Sequence, residues 1–225
     1  MSYEIAIPSY KRAGILAKAT IPTLLRLGAD KKRITIWVAN LDELVNYRQQ
    51  FGDEFNIEIA QVGKVNAQRF YHKRYATGTP ILNLDDDIYN IQEKDGEKLK
   101  DYEGTIDQLA EIGFAVCEKS GARLWGEKVT EGSSGDDYET TLRSYILNGS
   151  VVRIDYLCPI TKYFAEGGID AELKARGIED RQTDHQKALF ELADAYPDLA
   201  KTYTKSNGIL NLRLKTITQI KLSKP

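Results

Sequence analysis

The sequence is poor in the residues that crosslink or metallate small folds. It has two cysteines and two histidines among 225 residues, and Cys117 and Cys158 stand far apart, outside any CxxC frame. Neither a disulfide framework nor a structural zinc site is expected. No apolar run approaches the ~20 residues of a membrane span. The N-terminus shows no basic segment ahead of a long apolar core, so secretion by a standard signal is not expected and a reducing, cytoplasmic setting is. Internal repeats, low-complexity linkers and a glycine-rich phosphate loop are also missing, and Gly63-Lys64-Val65 lacks the Ser or Thr of a Walker motif. What is present is an ordinary globular composition, 42% hydrophobic and 28% charged with a net charge of −2. A chain of this size buries roughly 70% of its unfolded surface, so it needs no staple to fold.

The near-neutral total conceals an asymmetry. Residues 201–225 hold Lys201, Lys205, Arg213, Lys215, Lys221 and Lys224 with no acidic residue, leaving the rest of the chain acidic. A basic end of this kind meets a polyanion such as nucleic acid, or acts as a solubilising tail. Ahead of it, apolar strand-like runs alternate with polar helical segments, the pattern of a parallel sheet with crossover helices. Strands are predicted over Tyr3–Pro8, Arg33–Ala39, Phe55–Val62 and Pro80–Leu84. Helices are predicted from Thr20, as cap, to Gly28, through Leu44 and Tyr47, and over Val65–Tyr75. The charged stretch 93–103 is expected to be solvated. Ile106, Leu109, Ala110, Gly113, Val116 and Cys117 share one helical face that should pack on the sheet. Strands are predicted again at Arg123–Val129 and Arg143–Ile154 around a loop at Glu131–Asp137, then a helix over Thr183–Tyr196 and terminal strands within Ile209–Leu222. Residues 1–200 read as one domain and 201–225 as basic strands packed on it.

The fourth strand runs straight into Asp85, Asp86 and Asp87. Open α/β sheets bind ligands at the carboxyl ends of their strands, and unpaired buried carboxylates are costly, so this run calls for a counter-ion. Hard oxygen ligands suit Mg²⁺ or Mn²⁺ bridging to a substrate's phosphates. In extended backbone Asp85 and Asp87 point to one side and Asp86 to the other, which makes the outer two the metal pair. The plainer reading is an Asp-rich turn capping the strand. At the same sheet edge, Pro8-Ser9-Tyr10-Lys11-Arg12 offers a ring for a base and cations for phosphate. Asn40 offers hydrogen bonds to a base or ribose, and Gln68-Arg69 opens the third crossover helix.

Pro8-Ser9-Tyr10-Lys11-Arg12, Val38-Ala39-Asn40, Gln68-Arg69 and Leu84-Asp85-Asp86-Asp87 together resemble the GT-A glycosyltransferases, over about residues 3 to 90. The short chain, the Asn-Leu-Asp-Asp-Asp form and the Gly63–Arg69 stretch are most similar to the phage TET-associated DNA glycosyltransferases. The resemblance implies a Rossmann-like α/β/α sandwich with a mixed central sheet. It also implies a divalent metal, Mn²⁺ or Mg²⁺, and a UDP-sugar donor, UDP-glucose by default. The acceptor would be a 5-hydroxymethylpyrimidine in DNA, in the host cytoplasm if the chain is phage-encoded. Pro8, Ser9, Tyr10, Arg12, Asn40, Gln68, Arg69, Asp85 and Asp86 would surround the donor, with Asp85, Asp87 and a late histidine, His185, on the metal.

An inverting enzyme of this kind needs a carboxylate to take the acceptor's proton. Glu179-Asp180 resembles the ED motif that supplies it, which makes Asp180 the first candidate and Asp184 the second. Thr183-Asp184-His185-Gln186 also reads as a capping box, and His185 also reads as the edge of a helix's apolar face. Trp125 and Gly126, with Asn148 in a predicted strand break at Asn148-Gly149-Ser150, are candidate acceptor contacts, Trp125 by stacking on an extruded base. Core packing is the alternative for that tryptophan. Competing readings are a polysaccharide, lipid or protein acceptor, a nucleotidyltransferase, and a DNA-binding module without catalysis.

Overall fold

A computed structural model describes residues 2–60, 79–127, 136–154, 156–161, 177, 181–206, 208, 210–215 and 220–222. The chain divides into two compact units, Met1–Glu111 with Leu157–Arg176, and Ile112–Tyr156 with Gly177–Pro225. It is a mixed α/β protein with a four-stranded parallel sheet, flanking helices and smaller sheets.

In the first unit, β1 (Glu4–Pro8), β2 (Ile34–Val38), β3 (Asn56–Ile59) and β4 (Ile81–Asn83) form a parallel sheet in the order β3-β2-β1-β4. All five residues of β2, Ile-Thr-Ile-Trp-Val, are buried, as a parallel strand covered on both faces requires. The crossovers supply α1 (Ala13–Lys18), α2 (Thr20–Arg26) and α3 (Leu41–Phe51). Asn40 caps α3, its Oδ1 accepting from the Glu43 N–H at 3.0 Å. Thr20 does not cap α2 as the sequence suggests: Ala19 holds that position, and the Thr20 hydroxyl is engaged elsewhere. The charged stretch after β4 becomes a hairpin, β5 (Ile88–Asp95) and β6 (Lys98–Asp101), exposed throughout β6. Downstream, β9 (Leu157–Thr161) pairs antiparallel with β5.

The division between units falls within α4 (Ile106–Ser120), which buries Ile106, Leu109, Ala110 and Cys117, the face that its spacing predicts. Its start has a reciprocal capping box, Gln108 N–H to Thr105 Oγ1 at 3.2 Å and Thr105 N–H to Gln108 Oε1 at 2.8 Å. The second unit adds β7 (Trp125–Glu127), α5 (Asp136–Asn148), β8 (Val152–Ile154), α6 (Arg181–Ala195), β10 (Ala200–Thr204), β11 (Leu210–Leu214) and β12 (Ile220–Leu222). β12, β8 and β7 form a parallel sheet, and β10 and β11 an antiparallel pair.

The strand predicted over Arg143–Ile154 is helix as far as Asn148, with only Val152–Ile154 extended. Tyr138 and Leu142, one turn apart, face the core of this unit, while Ile146 and Leu147 are exposed, 51% and 81%. Apolar residues on an outward face thus imitate a buried strand. Asn148-Gly149-Ser150 is accordingly a helix end: Gly149 adopts φ +73°, and its N–H bonds to Tyr145 O at 2.7 Å. Thr183 likewise lies inside α6, which is described from Arg181, so it is not the cap of that helix. Among the described residues no helix is long and apolar enough to cross a membrane.

Asp107 ties the starts of β1, β2 and α4. Its Oδ1 accepts from the Tyr3 hydroxyl at 2.6 Å and from Arg33 Nη2 at 2.7 Å, and the Arg33 guanidinium lies 4.6 Å from the Tyr3 ring centroid. The Tyr3 hydrogen bond, with Arg33 beside it, lowers the Asp107 pKa below the ordinary aspartate value. A depressed folded pKa contributes stability above the unfolded value that is lost as pH falls through the folded one. Asp107→Asn is therefore expected to lower stability at pH 7 and to weaken its decline below about pH 4, as urea denaturation at the two pH values would measure.

Candidate functional site

In a sheet ordered β3-β2-β1-β4 the strand order reverses between β1 and β4, and the region beyond the carboxyl ends of these strands is where such sheets place ligands. Both flanking segments are drawn into it by ladder bonds that outrun the strands. The Ser9 N–H reaches Trp37 O at 2.9 Å, and the Leu84 N–H reaches Ala6 O at 3.0 Å. The Ser9–Arg12 segment and the aspartate run therefore meet.

The run does not stay extended: the chain turns at Asp86–Asp87, so the alternation that would pair Asp85 with Asp87 does not hold. Asp86 is 6% exposed and turned inward. Its Oδ2 accepts from the Ser9 hydroxyl at 2.6 Å, and its Oδ1 from Arg12 Nη1 at 3.1 Å. The same nitrogen lies 3.4 Å from Asp87 Oδ2. Burial raises the Asp86 pKa above 3.8, while the Ser9 and Arg12 bonds act to lower it. Asp85 is exposed. Its carbonyl accepts from the Thr20 hydroxyl at 2.7 Å, and that hydroxyl accepts from the Ile88 N–H at 2.9 Å. Thr23, one turn on, donates to Ile88 O at 3.1 Å. Two buried threonines of α2 thus brace the turn.

Ser9 is buried at 6% exposure and is shared with the Tyr47 hydroxyl at 2.7 Å. Lys11 N–H donates to Glu43 Oε2 at 2.8 Å, and Arg12 N–H to Tyr47 Oη at 3.1 Å. Lys11 Nζ sits 5.2 Å from the Tyr10 ring centroid. Pro8 closes β1, and Asn40 is exposed at the start of α3. The sequence reading missed Thr20, Thr23, Glu43 and Tyr47 as parts of this site. Their common signal is a pair of polar groups three or four residues apart on a helix's inward face.

Gln68, Arg69 and Asp180 lie outside the described residues. Asp184 is placed in α6 by its backbone alone, and His185 is half-buried in the same helix of the second unit. In that unit Trp125 packs on α4, 5.7 Å edge-to-face from Phe114 and beside the cluster of Cys117, Ala122 and Val152. Gly113 makes room for it, since a Cβ there would fall 2.1 Å from Trp125 Cε2. Gly126 continues β7, and Asn148 Nδ2 turns back to Ser144 O at 2.9 Å. Among the described residues no three His, Cys, Asp or Glu side chains gather as a metal-binding group. Asp85 and Asp87 are the carboxylates that could still hold a hard cation here, in the other kind of site in which one or two protein oxygens are completed by substrate phosphates and water.

Comparison with protein-family models, curated proteins and solved structures finds no match to this chain.

Thr20 is 1% exposed, so losing its hydroxyl leaves the Ile88 N–H buried without its acceptor. Thr20→Val should cost about 1–3 kcal/mol in urea denaturation and Thr20→Ser much less, because serine keeps the oxygen.

Proposed function

We propose that the protein is a metal-dependent glycosyltransferase that moves a sugar from a UDP-sugar to the hydroxyl of a 5-hydroxymethylpyrimidine in DNA, on a GT-A type of α/β domain. The observation that carries this reading is the closure of the Ser9–Arg12 segment onto the Asp85–Asp87 turn at the point where the strand order reverses. The segment carries a ring and cations and the turn carries carboxylates, the three chemistries that a nucleoside diphosphate and its counter-ion require. Tyr10 would stack on the base, Lys11 and Arg12 would meet the diphosphate, and Asp85 and Asp87 would hold the ion. When bound, that ion neutralises charge developing on the departing diphosphate. An inverting displacement needs a carboxylate to take the acceptor's proton, the role that the sequence resemblance gives to Asp180 first and Asp184 second.

The DNA acceptor draws support from β10 and β11. Their inner face buries Ala200 and Leu212. On the other face Lys201 stands directly opposite Arg213, both exposed, with Tyr203 40% exposed two residues along. Like charges opposed across a ladder are locally destabilising, and a polyanion relieves them.

Incubation with Mn²⁺, UDP-sugars and DNA containing 5-hydroxymethylcytosine or 5-hydroxymethyluracil should add one hexose or pentose mass to the modified nucleoside after digestion. EDTA should abolish the gain, and Asp85→Asn or Asp87→Asn should reduce the rate by about a hundredfold or more. No gain despite metal-dependent UDP binding would move the acceptor to a glycan, lipid or protein. In a separate DNA-binding titration, Lys201→Ala with Arg213→Ala should lower the slope of log K against log salt by about 2, with UDP affinity unchanged; an unaltered slope would remove the hairpin from the DNA contact.

A further inference from the structure

The segment Ser9–Arg12 is held in a conformation that its own sequence disfavours. Lys11 has φ +54°, in the left-handed region where the Cβ of an ordinary L-residue crowds its own backbone. Such strain persists only where the surroundings over-determine it. The surroundings here are one face of α3. Glu43 Oε2 takes the Lys11 N–H at 2.8 Å, and the Tyr47 hydroxyl takes the Arg12 N–H at 3.1 Å, so the amides on both sides of the strained Cα are pinned from one helix.

Proton counting orders the rest. Ser9 has one hydroxyl proton, and the carboxylate of Asp86 at 2.6 Å accepts it. Ser9 Oγ is then the acceptor from Tyr47 at 2.7 Å. The bonds run from Arg12 N–H to Tyr47 Oη, from Tyr47 to Ser9, from Ser9 to Asp86, and the ring closes where Arg12 Nη1 meets Asp86 Oδ1 at 3.1 Å. Burial raises the Tyr47 pKa, which keeps the hydroxyl a donor. Core packing alone would be served by phenylalanine. Tyr47 is 0% exposed, and a hydroxyl taken wholly out of water is tolerated only with partners; both of these partners belong to the segment after β1.

We propose that Tyr47 and Glu43 are positioning residues of the nucleoside-diphosphate site: from α3 they hold Ser9–Arg12 in its strained conformation and fix its distance from the aspartate turn. The Tyr10 ring and the Lys11 and Arg12 cations are thereby presented to the donor already ordered, so that binding does not have to order them. This rests on the donor reading above.

The test combines Tyr47→Phe, Glu43→Ala and Glu43→Gln with two readouts taken well below the melting temperature: amide hydrogen exchange at Lys11 and Arg12, and calorimetric affinity for UDP in the presence of Mn²⁺. Tyr47→Phe and Glu43→Ala should each accelerate exchange at the amide they release and weaken UDP by about tenfold. Glu43→Gln keeps an oxygen for the Lys11 amide and should stay near wild type. Unchanged exchange in both Tyr47→Phe and Glu43→Ala overturns the clamp. Faster exchange with wild-type UDP affinity makes the two residues structural only and overturns the positioning role. A wild-type protein that binds no UDP overturns the donor reading and the positioning role with it, while the exchange result still decides whether α3 holds the segment.

Discussion

A carboxylate taken out of water at the end of an apolar strand has to be compensated, and the arrangement of the first unit's site follows from how Asp86 is. Its two oxygens need donors at the place where the sheet ends, and the chain supplies a hydroxyl and a guanidinium from the segment after β1. Neither donor is independent of the backbone that carries it. Ser9 is fixed by the last β1–β2 ladder bond. Arg12 is fixed by its own amide on Tyr47. Compensating one charge therefore determines the path of four residues, and removing either partner would leave the other buried and unmatched.

The same demand explains why polar residues sit on the inward faces of α2 and α3. A tight turn between β4 and β5 exposes backbone groups that the sheet no longer pairs. Thr20 serves as donor to Asp85 O and acceptor from Ile88 N–H, and Thr23 takes Ile88 O as a second acceptor. Glu43 and Tyr47 do the equivalent for the Lys11 and Arg12 amides. α2 thus divides its buried residues between apolar packing by Ile21 and Leu24 and the loop at the sheet's edge, while the buried residues of α3, Glu43 and Tyr47, both serve that loop.

This division of labour bounds what could be read from the sequence. The strands β1, β2 and β4 were legible because a sheet covered on both faces demands continuous apolar runs, and the aspartates were conspicuous because they follow such a run directly. Asp86 was harder. Alternation assigns it the side away from Asp85 and Asp87, but alternation ceases where the backbone turns, and Arg12 then lies within reach of both Asp86 and Asp87. Tyr47 was legible as a helical residue and not as a hydrogen-bonding one, since apolar periodicity registers the ring and is blind to the hydroxyl. The helix α5 was misread for the converse reason: Ile146 and Leu147 are exposed, so they carried apolar pattern without burial. Trp125 shows the same ambiguity decided toward packing, with Gly113 as the small residue that admits it.

The three aspartates divide unequally once the turn is in place. Asp86 is committed inward on both oxygens, to Ser9 and to Arg12. Asp85 is exposed, and Asp87 is half-buried beside the same guanidinium. On the proposed reading, Asp85 and Asp87 would hold the cation, and Asp87 would divide between it and Arg12. A cation held there would compete with Arg12 for Asp87, and a diphosphate would offer the guanidinium other oxygens of the same kind. Asp86 keeps Arg12 at the site through that exchange, because its second partner, Ser9, is anchored to the sheet and to α3. The middle aspartate of the run, the one that alternation turns away from a ligand, is then the one on which the placement of the other groups depends.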